Sequence, residues 1–269
     1  MHDFPLSARV PVGRIAADGS NEAGHRNVPV EMPIAISFCG IGYAVMMATP
    51  ADLEDFAIGF ARSERLIENP DEILEVDVRR GHSGILLGVE LVAERRERVF
   101  ERVRHRVGES SCGLCGIENL EQALRPLPVV GAPPTIAIAA LFRALREIGT
   151  QQPLNRETGA VHAAALCGPE GAILAAREDV GRHNAFDKLI GHCLAMRHDM
   201  RAGFVLLTAR GSYELVEKAA LAGVSLLVTV SAPTSLAIQR AVEARLTMIA
   251  LARQDAMLVV SDPYGKFGG

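Results

Sequence analysis

Residues 204–234 read FVLLTARGSYELVEKAALAGVSLLVTVSAPT and contain two apolar runs, 204–208 and 224–230. Between these runs lies a segment that begins near Ser212, stops at Gly223 and has the pattern of a helix. A strand, a helix and a second strand in this order are typical of layered α/β proteins whose neighbouring strands run parallel. This stretch therefore predicts an α/β fold with an at least partly parallel sheet.

Segments on both sides continue the alternation of strands and helices. The further strand candidates are 163–167, 172–176, 247–252 and 257–260. A helix capped by Thr135 is expected to precede them, with one apolar face made of Ile138, Leu141, Phe142 and Leu145. We therefore predict a layered mixed sheet flanked by helices over residues 135–269.

The first third of the chain predicts a smaller N-terminal α/β subdomain at residues 28–108. Apolar runs 30–38 and 43–48 have the pattern of a hairpin, and strands are predicted at 73–78 and 85–92. Between them a helix is expected, with Thr49 as its cap, Pro50 in its first turn and a buried face of Leu53, Phe56, Ala57 and Phe60. Residues 1–27, with their Pro, Gly, Asp and Asn, predict a flexible arm, and 109–134 predict a Cys-x-x-Cys loop and connector.

Composition narrows the classes of function. Of the 269 residues, 49% are hydrophobic, so a well-packed core is expected. The net charge is −4, and the arginines of segment 94–106 alternate with glutamates as on a solvated surface, which argues against nucleic-acid binding. Residues 1–14 lack the pattern of a signal peptide, and the apolar stretch 219–232 is too short to span a bilayer. We therefore expect a cytoplasmic protein that contacts neither nucleic acid nor membrane.

The sharpest chemical signal is Cys112-Gly113-Leu114-Cys115-Gly116. Two thiols at this spacing can act on one centre, and nearby backbone N–H groups would stabilise the reactive thiolate. Structural zinc, a redox pair, a structural loop and nucleophilic sulfur chemistry all remain open, although no second Cys-x-x-Cys supplies further zinc ligands. The other cysteines lie in apolar surroundings, and we predict that they are small buried hydrophobic residues: Cys39, Cys167 and Cys193.

Three further segments carry groups that could bind a ligand. Residues 208–212 and 231–235 follow apolar strands and open helices, where bare backbone N–H groups, helped by Arg210, would suit a phosphorylated ligand. Residues 178–188 hold Arg182, His183 and Asn184 at a helix start, a natural anion site, although an ordinary capped helix with solvated charges is the alternative. His162 invites comparison with zinc deaminases, but the Glu that their His-x-Glu motif requires is missing.

These segments, together and in this order, resemble the FdhD family of formate dehydrogenase accessory sulfurtransferases. The matching pieces are Ala48-Thr49-Pro50 through Gly59-Phe60, Cys112-Gly113-Leu114-Cys115-Gly116, Thr158-Gly159 with His162-Ala163-Ala164, Asp179-Val180-Gly181-Arg182-His183-Asn184-Ala185 with Asp187-Lys188, Arg210-Gly211-Ser212-Tyr213-Glu214, and Ser231-Ala232-Pro233-Thr234. The resemblance implies a fold similar to cytidine deaminases and a homodimer.

The resemblance also implies a function. The family accepts sulfur from a cysteine desulfurase as a persulfide on the Cys-x-x-Cys loop. It passes the sulfur to the molybdenum cofactor that carries two molybdopterin guanine dinucleotides, before that cofactor enters formate dehydrogenase. On this basis the chain would be a sulfurtransferase with Cys112 and Cys115 as catalytic residues. The cofactor would be bound as substrate, and no permanent cofactor or metal is expected.

The residues expected to contact the cofactor are Arg210, Gly211, Ser212, Thr234, His183 and the segment Leu251, Ala252, Arg253, Gln254, Asp255 and Ala256. The last segment departs from the family's Phe-x-Arg-Gly-Gly-Arg-like pattern, because it keeps Arg253 but lacks the glycines and the second arginine. A second departure is Glu64-Arg65, where the family usually has Glu-Gly.

Two alternatives to the sulfurtransferase function remain: a chaperone that binds the molybdenum cofactor without moving sulfur, and a zinc hydrolase of the deaminase type.

Overall fold

The structure is a computed structural model that describes residues 4–107 and 125–268, with the side chains of 104–107 left aside. Cys112, Cys115 and the greater part of the predicted connector 109–134 therefore lie outside the described residues.

The N-terminal residues form an antiparallel ribbon of β1 (Ser7–Ile15) and β2 (Asn21–Pro29). A turn at Asp18 closes it, because the carboxylate accepts the N–H of Ser20 at 2.9 Å. At its base, Asn27 Nδ2 donates to Glu157 Oε1 at 2.9 Å. The prediction of an unstructured arm was wrong here, since strand pairing and this docking order residues whose composition favours loops.

A sheet of four strands in the order β4-β3-β6-β5 follows, in which β3 and β6 run parallel and the other pairs antiparallel. Its elements are β3 (Met32–Phe38), β4 (Ile41–Ala48), α1 (Leu53–Ser63), a 3₁₀ turn (Pro70–Glu72), β5 (Ile73–Arg80), β6 (Ile85–Leu91) and α2 (Ala93–Val107). Apolar side chains of one sheet face and of α1 share a core that includes Phe38, Phe56 and Phe60. The predicted hairpin, helix and two strands are confirmed, and segment 94–106 is helical.

The second sheet among the described residues has six strands in the order β12-β11-β10-β9-β7-β8. Strands β9, β10 and β11 are parallel, whereas β7, β8 and β12 pair antiparallel with their neighbours. The elements are α3 (Ile138–Glu147), a 3₁₀ turn (Ile148–Gln151), α4 (Pro153–Thr158), β7 (His162–Cys167), β8 (Ile173–Asp179), α5 (Arg182–Ala195), β9 (Phe204–Leu207), α6 (Tyr213–Leu221), β10 (Leu226–Thr229), α7 (Ser235–Glu243), β11 (Thr247–Ala250) and β12 (Leu258–Ser261). The predicted mixed, partly parallel sheet is confirmed.

Helices cover this sheet on both faces. In β9, Val205 and Leu207 pack into the core formed with α5, α6 and α7, whereas Phe204 and Leu206 pack into the core formed with α3. Successive strand side chains point to opposite faces, so a strand buried on both sides reads as a continuous apolar run. This three-layer arrangement explains why the apolar runs in residues 204–230 predict the fold well.

Two predicted helix caps were wrong. Helix α1 begins after Asp52, which has a left-handed φ of 51° and makes no side-chain cap, and α3 begins after Ala137 instead of Thr135. Ile138, expected on the buried face of α3, is 61% exposed. The hydroxyl of Thr49 is used elsewhere, because it accepts the N–H of Val180 at 3.1 Å.

The two sheets are joined where α1 crosses α5 at Gly59 and Gly191. A Cβ added to Gly59 would lie 1.7 Å from the carbonyl oxygen of Asp187, and one added to Gly191 would lie 1.8 Å from that of Asp55. Real carbon atoms never approach a backbone oxygen this closely, so both positions require glycine. The helices are thus in backbone contact, which fixes the N-terminal sheet against the C-terminal one.

Four helices end in the same way, with a Schellman motif whose C′ residue has a positive φ. These residues are Arg65 after α1, Arg197 after α5, Gly223 after α6 and Arg245 after α7, with φ between 53° and 77°. In each case the next amide donates back to the helix at 2.8 or 2.9 Å. A residue with a Cβ is strained in this conformation, which glycine adopts more easily. Three of the four ends nevertheless hold an arginine.

Among the described residues, no helix combines the length and apolar character needed to cross a bilayer.

Candidate functional site

One edge of the six-stranded sheet gathers most of the motif segments. The parallel strands β9, β10 and β11 all end there, and the antiparallel strand β7 begins there because Ala164 pairs with Leu207. Strand β8 ends at the same edge, since His162 pairs with Asp179. Helices α5, α6 and α7 then start from this edge. Residues as distant in sequence as 162 and 251 are therefore brought together.

The two loops at this edge bond to each other. The Gly211 N–H donates to Ala232 O at 3.2 Å, and the Thr234 N–H donates to Gly211 O at 2.9 Å. Likewise the Ser231 N–H donates to Ala209 O at 3.2 Å. The prediction of bare backbone N–H groups was wrong for these three residues, because the loops continue the parallel pairing of their strands.

Side chains in the loops take different roles. The Thr234 hydroxyl accepts the Ala237 N–H at 3.2 Å and so caps α7. Ser212 precedes α6 without capping it, and its Oγ is buried with no hydrogen-bond partner among the described residues. Arg182 Nε is buried in the same unsatisfied way, and Arg210 is exposed. Buried donors without partners are costly, so a ligand oxygen that reached them would be stabilised.

His183 lies in the first turn of α5, and its Nε2 is 3.3 Å from Glu214 Oε2. Burial lowers the pKa of His183 to about 4, and the cations Lys218 and Arg182 add to this effect. Burial also lowers the pKa of His162, with the charge of Arg182 acting in the same direction and Asp179 against it. Both imidazoles are therefore neutral at pH 7 and offer hydrogen bonds without charge.

The segment from Leu251 to Ala256 follows β11 at the same edge. Leu251 has φ of 48°, and its N–H donates to Ser231 O at 3.3 Å. Ala252 is buried, with its N–H on Thr229 O at 3.1 Å, whereas Gln254, Asp255 and Ala256 are exposed. Arg253 Nη1 donates to Val230 O at 2.7 Å, so this guanidinium contacts the start of the second loop. The predicted cofactor-contacting residues thus lie along a single edge.

Part of the segment 179–188 is structural, and here sequence reasoning missed a partner. Asp179 and Lys188 are both fully buried, with Lys188 Nζ 2.6 Å from Asp179 Oδ2. Lys188 also donates to Thr49 O at 2.8 Å, and the Thr49 N–H donates to Asp179 Oδ2 at 3.0 Å. Asn184 Nδ2 bonds Asp179 Oδ1 at 3.1 Å and Met47 O at 2.9 Å. The end of β4 is thereby tied to the turn that presents Arg182 and His183.

A second ion pair involves Asp187, the buried residue that precedes Lys188 in α5. Lys218 Nζ bonds Asp187 Oδ1 at 2.6 Å, and Ser63 Oγ bonds the same oxygen at 2.6 Å. Burial raises the pKa of Asp187, and the nearby Lys218 charge opposes that rise. Its sequence signal was the Asp187-Lys188 dipeptide, but its partners come from α1 and α6, more than 30 residues away.

The described cysteines differ in accessibility. Cys167 and Cys193 are buried, and burial raises the pKa of each thiol to about 12, as expected of small hydrophobic residues. Cys39, at a positive φ of 50° in the turn after β3, is partly exposed, so the prediction that it is buried was wrong. The two residues predicted to be catalytic, Cys112 and Cys115, lie outside the described residues. Across the described residues, no group of three His, Cys, Asp or Glu side chains is arranged to hold a metal ion.

The fold and this edge define a layered α/β protein with a polar, partly unsatisfied cluster at the carboxyl ends of its parallel strands. The profile of the FdhD/NarQ family matches residues 29–265. Sulfur carrier protein FdhD of Xanthomonas campestris pv. campestris (strain B100) is 45% identical over 236 residues, which cover 88% of this chain and 84% of that protein. Sulfur carrier protein FdhD of Variovorax paradoxus (strain S110) is 43% identical over 237 residues, covering 88% and 85%.

A solved structure gives the same result. A crystal structure described as a formate dehydrogenase accessory protein from Desulfotalea psychrophila superposes with a TM-score of 0.74 at 25% identity, covering 96% of this chain and 98% of that one. This chain belongs to the FdhD/NarQ family, and the resemblance seen in its sequence motifs is confirmed. The ribbon of β1 and β2 lies almost entirely before the family match.

Proposed function

We propose that this protein is a sulfur carrier, a sulfurtransferase that takes persulfide sulfur from a cysteine desulfurase. It then delivers that sulfur to the molybdenum cofactor with two molybdopterin guanine dinucleotides, for use by formate dehydrogenase. The observation that carries the proposal is membership of a family whose curated relatives at 45% and 43% identity are named sulfur carrier proteins.

The polar edge supports the proposal from the side of the acceptor. Guanine dinucleotides are rich in phosphates, and a helix start with unsatisfied donors favours anionic oxygens. Ser212 Oγ and Arg182 Nε are buried donors without partners among the described residues, and Arg210 and Arg253 add exposed charge nearby. We infer that the phosphates of the cofactor bind along residues 208–212, 231–234 and 251–256.

The sulfur steps require two thiols. The thiolate of Cys112 attacks the outer sulfur of the donor's persulfide, so that a new S–S bond forms and the donor leaves as a thiolate. Cys115 then attacks Cys112 Sγ, and the carried sulfur departs as sulfide while the two cysteines become a disulfide. The two thiolates supply the two electrons that reduce the carried sulfur. An external thiol reductant returns the pair to its starting state.

The test is intact mass spectrometry after incubation with a cysteine desulfurase and cysteine. We expect the wild-type chain to gain the mass of one sulfur atom, which peptide mapping assigns to Cys112 or Cys115. Cys112→Ala should gain none, whereas Cys39→Ala should load normally, because Cys39 lies on the first sheet, far in sequence from the pair. Loading of Cys112→Ala at the wild-type level contradicts the proposal.

A cofactor chaperone that moves no sulfur is the second candidate, because the polar edge accounts for cofactor binding without the cysteines. The two candidates differ in one complementation experiment. If the double variant Cys112→Ala/Cys115→Ala still restores formate dehydrogenase activity to a strain lacking this protein, the chaperone is correct. A homodimer, a cytoplasmic location and a likeness to the cytidine deaminase fold are further parts of the proposal.

A further inference from the structure

Both flanks of the segment that carries Cys112 and Cys115 meet the C-terminal end of α1. On the first flank, α2 sends two arginines to the last carbonyl groups there. Arg102 Nη2 donates to Glu64 O at 3.0 Å, and Arg98 Nη1 donates to Arg65 O at 3.4 Å. Cations are favoured at helix C-termini because the carbonyl groups there lack partners within the helix.

On the second flank, the end of α1 supplies a hydrogen-bond donor instead of the acceptors. Arg65 Nη2 donates to Pro126 O at 3.2 Å, and Arg240 Nη2 donates to Arg125 O. We call Arg65 and Arg240 the arginine clamp. Together they hold the two backbone carbonyl groups that come first when the chain re-enters the described structure.

The two members of the clamp differ in burial. The side chain of Arg240 is 5% exposed, and two carboxylates fix its guanidinium, Glu217 at 2.6 Å and Glu243 at 2.6 Å. Arg65, on the opposite side, is partly exposed. Burial lowers the pKa of Arg65, with Glu217 opposing and the nearby arginines adding to the effect. Guanidinium groups are charged donors, and charged donors make the stronger hydrogen bonds to carbonyl groups.

The clamp also connects to the polar edge through α6. Glu217, which holds Arg240, lies three residues after Glu214, which contacts His183. Three helical residues correspond to a rise of about 4.5 Å. The anchored flank is therefore one turn of helix from the edge, and Cys115 precedes Arg125 by ten residues, a reach of at most about 36 Å.

We propose that Arg65 and Arg240 are positioning residues that fix where the cysteine segment departs from the body of the protein, and so where its thiols meet a macromolecular donor. This inference rests on the proposed sulfur-carrier function. Arg65 acts through the backbone of residue 126. A small persulfide reaches a thiol wherever the segment lies, whereas a protein donor requires the thiol in one place.

The test compares Arg65→Gly and Arg65→Lys with Arg197→Gly in the full chain. Arg197 is the matched control, because it occupies the same positive-φ position after α5, has an 81% exposed side chain and lies 3.6 Å from Asp71. Sulfur loading is timed with two donors, glutathione persulfide and a cysteine desulfurase with cysteine. Backbone amide exchange of Leu127, Val129, Val130 and Gly131 is measured on the same samples.

We expect Arg65→Gly to melt no lower than wild type, since glycine relaxes the helix end. Its loading from the desulfurase should slow by about tenfold, the factor that one lost charged hydrogen bond gives, while its loading from glutathione persulfide should not change. Arg65→Lys should restore most of the rate, because the ammonium can donate to the same carbonyl, and Arg197→Gly should match wild type with both donors.

Equal rates for Arg65→Gly and wild type with both donors would overturn the clamp, as would equal slowing with both. If wild type itself accepts sulfur from neither donor, the proposed function fails instead, and amide exchange decides the clamp separately. Faster exchange of these four amides in Arg65→Gly than in Arg197→Gly supports it. Equal exchange refutes it whatever the sulfur assays show.

Discussion

The ammonium group of Lys188 is fully buried, and it faces a carboxylate, Asp179, that is also fully buried. Lys188→Met keeps the volume of the side chain and removes its charge. Asp179 would keep three N–H donors, from Thr49, Gly181 and Asn184, but would lose the cation that balances it. We expect this variant to fold with a large loss of stability.

The magnitude follows from the burial of both partners. Removing one partner from a buried ion pair typically costs about 3–5 kcal/mol, because an uncompensated charge remains in the interior. For a chain of this size that corresponds to a fall in Tm of roughly 10 °C.

The assay is urea unfolding followed by far-ultraviolet circular dichroism, since the chain has no tryptophan to report by fluorescence. Lys266→Met, at an exposed lysine near the C-terminus, is the control and should change stability by less than about 0.5 kcal/mol. The double variant Asp179→Asn/Lys188→Met should lose less than the sum of the two single variants, because it leaves no unpaired charge. A loss below about 1 kcal/mol for Lys188→Met, or additive losses, would refute the reasoning.

Three further outcomes follow from other contacts. Gly59→Ala should lose about 3 kcal/mol of unfolding free energy through overpacking of α1 against α5, while Gly149→Ala, with open space around it, should be near neutral; similar values for both would contradict the backbone contact. The pKa of His183 is about 4 in the folded protein and 6.5 for a free imidazole. The neutral imidazole therefore contributes fully to the free energy of unfolding above pH 6.5, and this contribution is lost as the pH falls to 4. Urea titrations over that range should give a loss of about 3 kcal/mol in wild type that His183→Asn lacks. Native Cys167 and Cys193 should resist iodoacetamide at pH 8 and react in urea, as mapped by mass spectrometry, since their buried thiols have pKa values of about 12; labelling at equal rates in both states would argue against that burial.

The C-terminal sheet could be predicted from sequence because its strands are buried on both faces. Residues 204–207 and 226–228 are apolar throughout, as expected of strands buried on both faces. The ribbon could not be predicted, because β1 and β2 are mostly exposed and β2 has no apolar alternation. The two strands are held in place by pairing with each other and by the hydrogen bond from Asn27 to Glu157, which lies 130 residues later in the chain.

The candidate site was predictable in its members but not in their roles. The sequence places residues 208–212 and 231–235 after strands, which is sufficient to locate them at one edge of the sheet. It does not tell that the Gly211 amide donates to Ala232 O and the Thr234 amide to Gly211 O, because these bonds depend on the lateral distance between two loops. Nor does it tell that Thr49 serves Asp179 and Val180 instead of a helix start, since these partners lie about 130 residues away.

The helix ends bear on how this protein could be engineered. Arg197 closes α5 in a conformation that a Cβ disfavours by about 1–2 kcal/mol, and its solvent-facing guanidinium makes one loose ion pair in return. Directed evolution for heat tolerance should therefore find Arg197→Gly early. Such a variant would become more stable through a change at the surface, remote from the sheet edge. The added stability would allow the protein to tolerate destabilising substitutions near the cysteines.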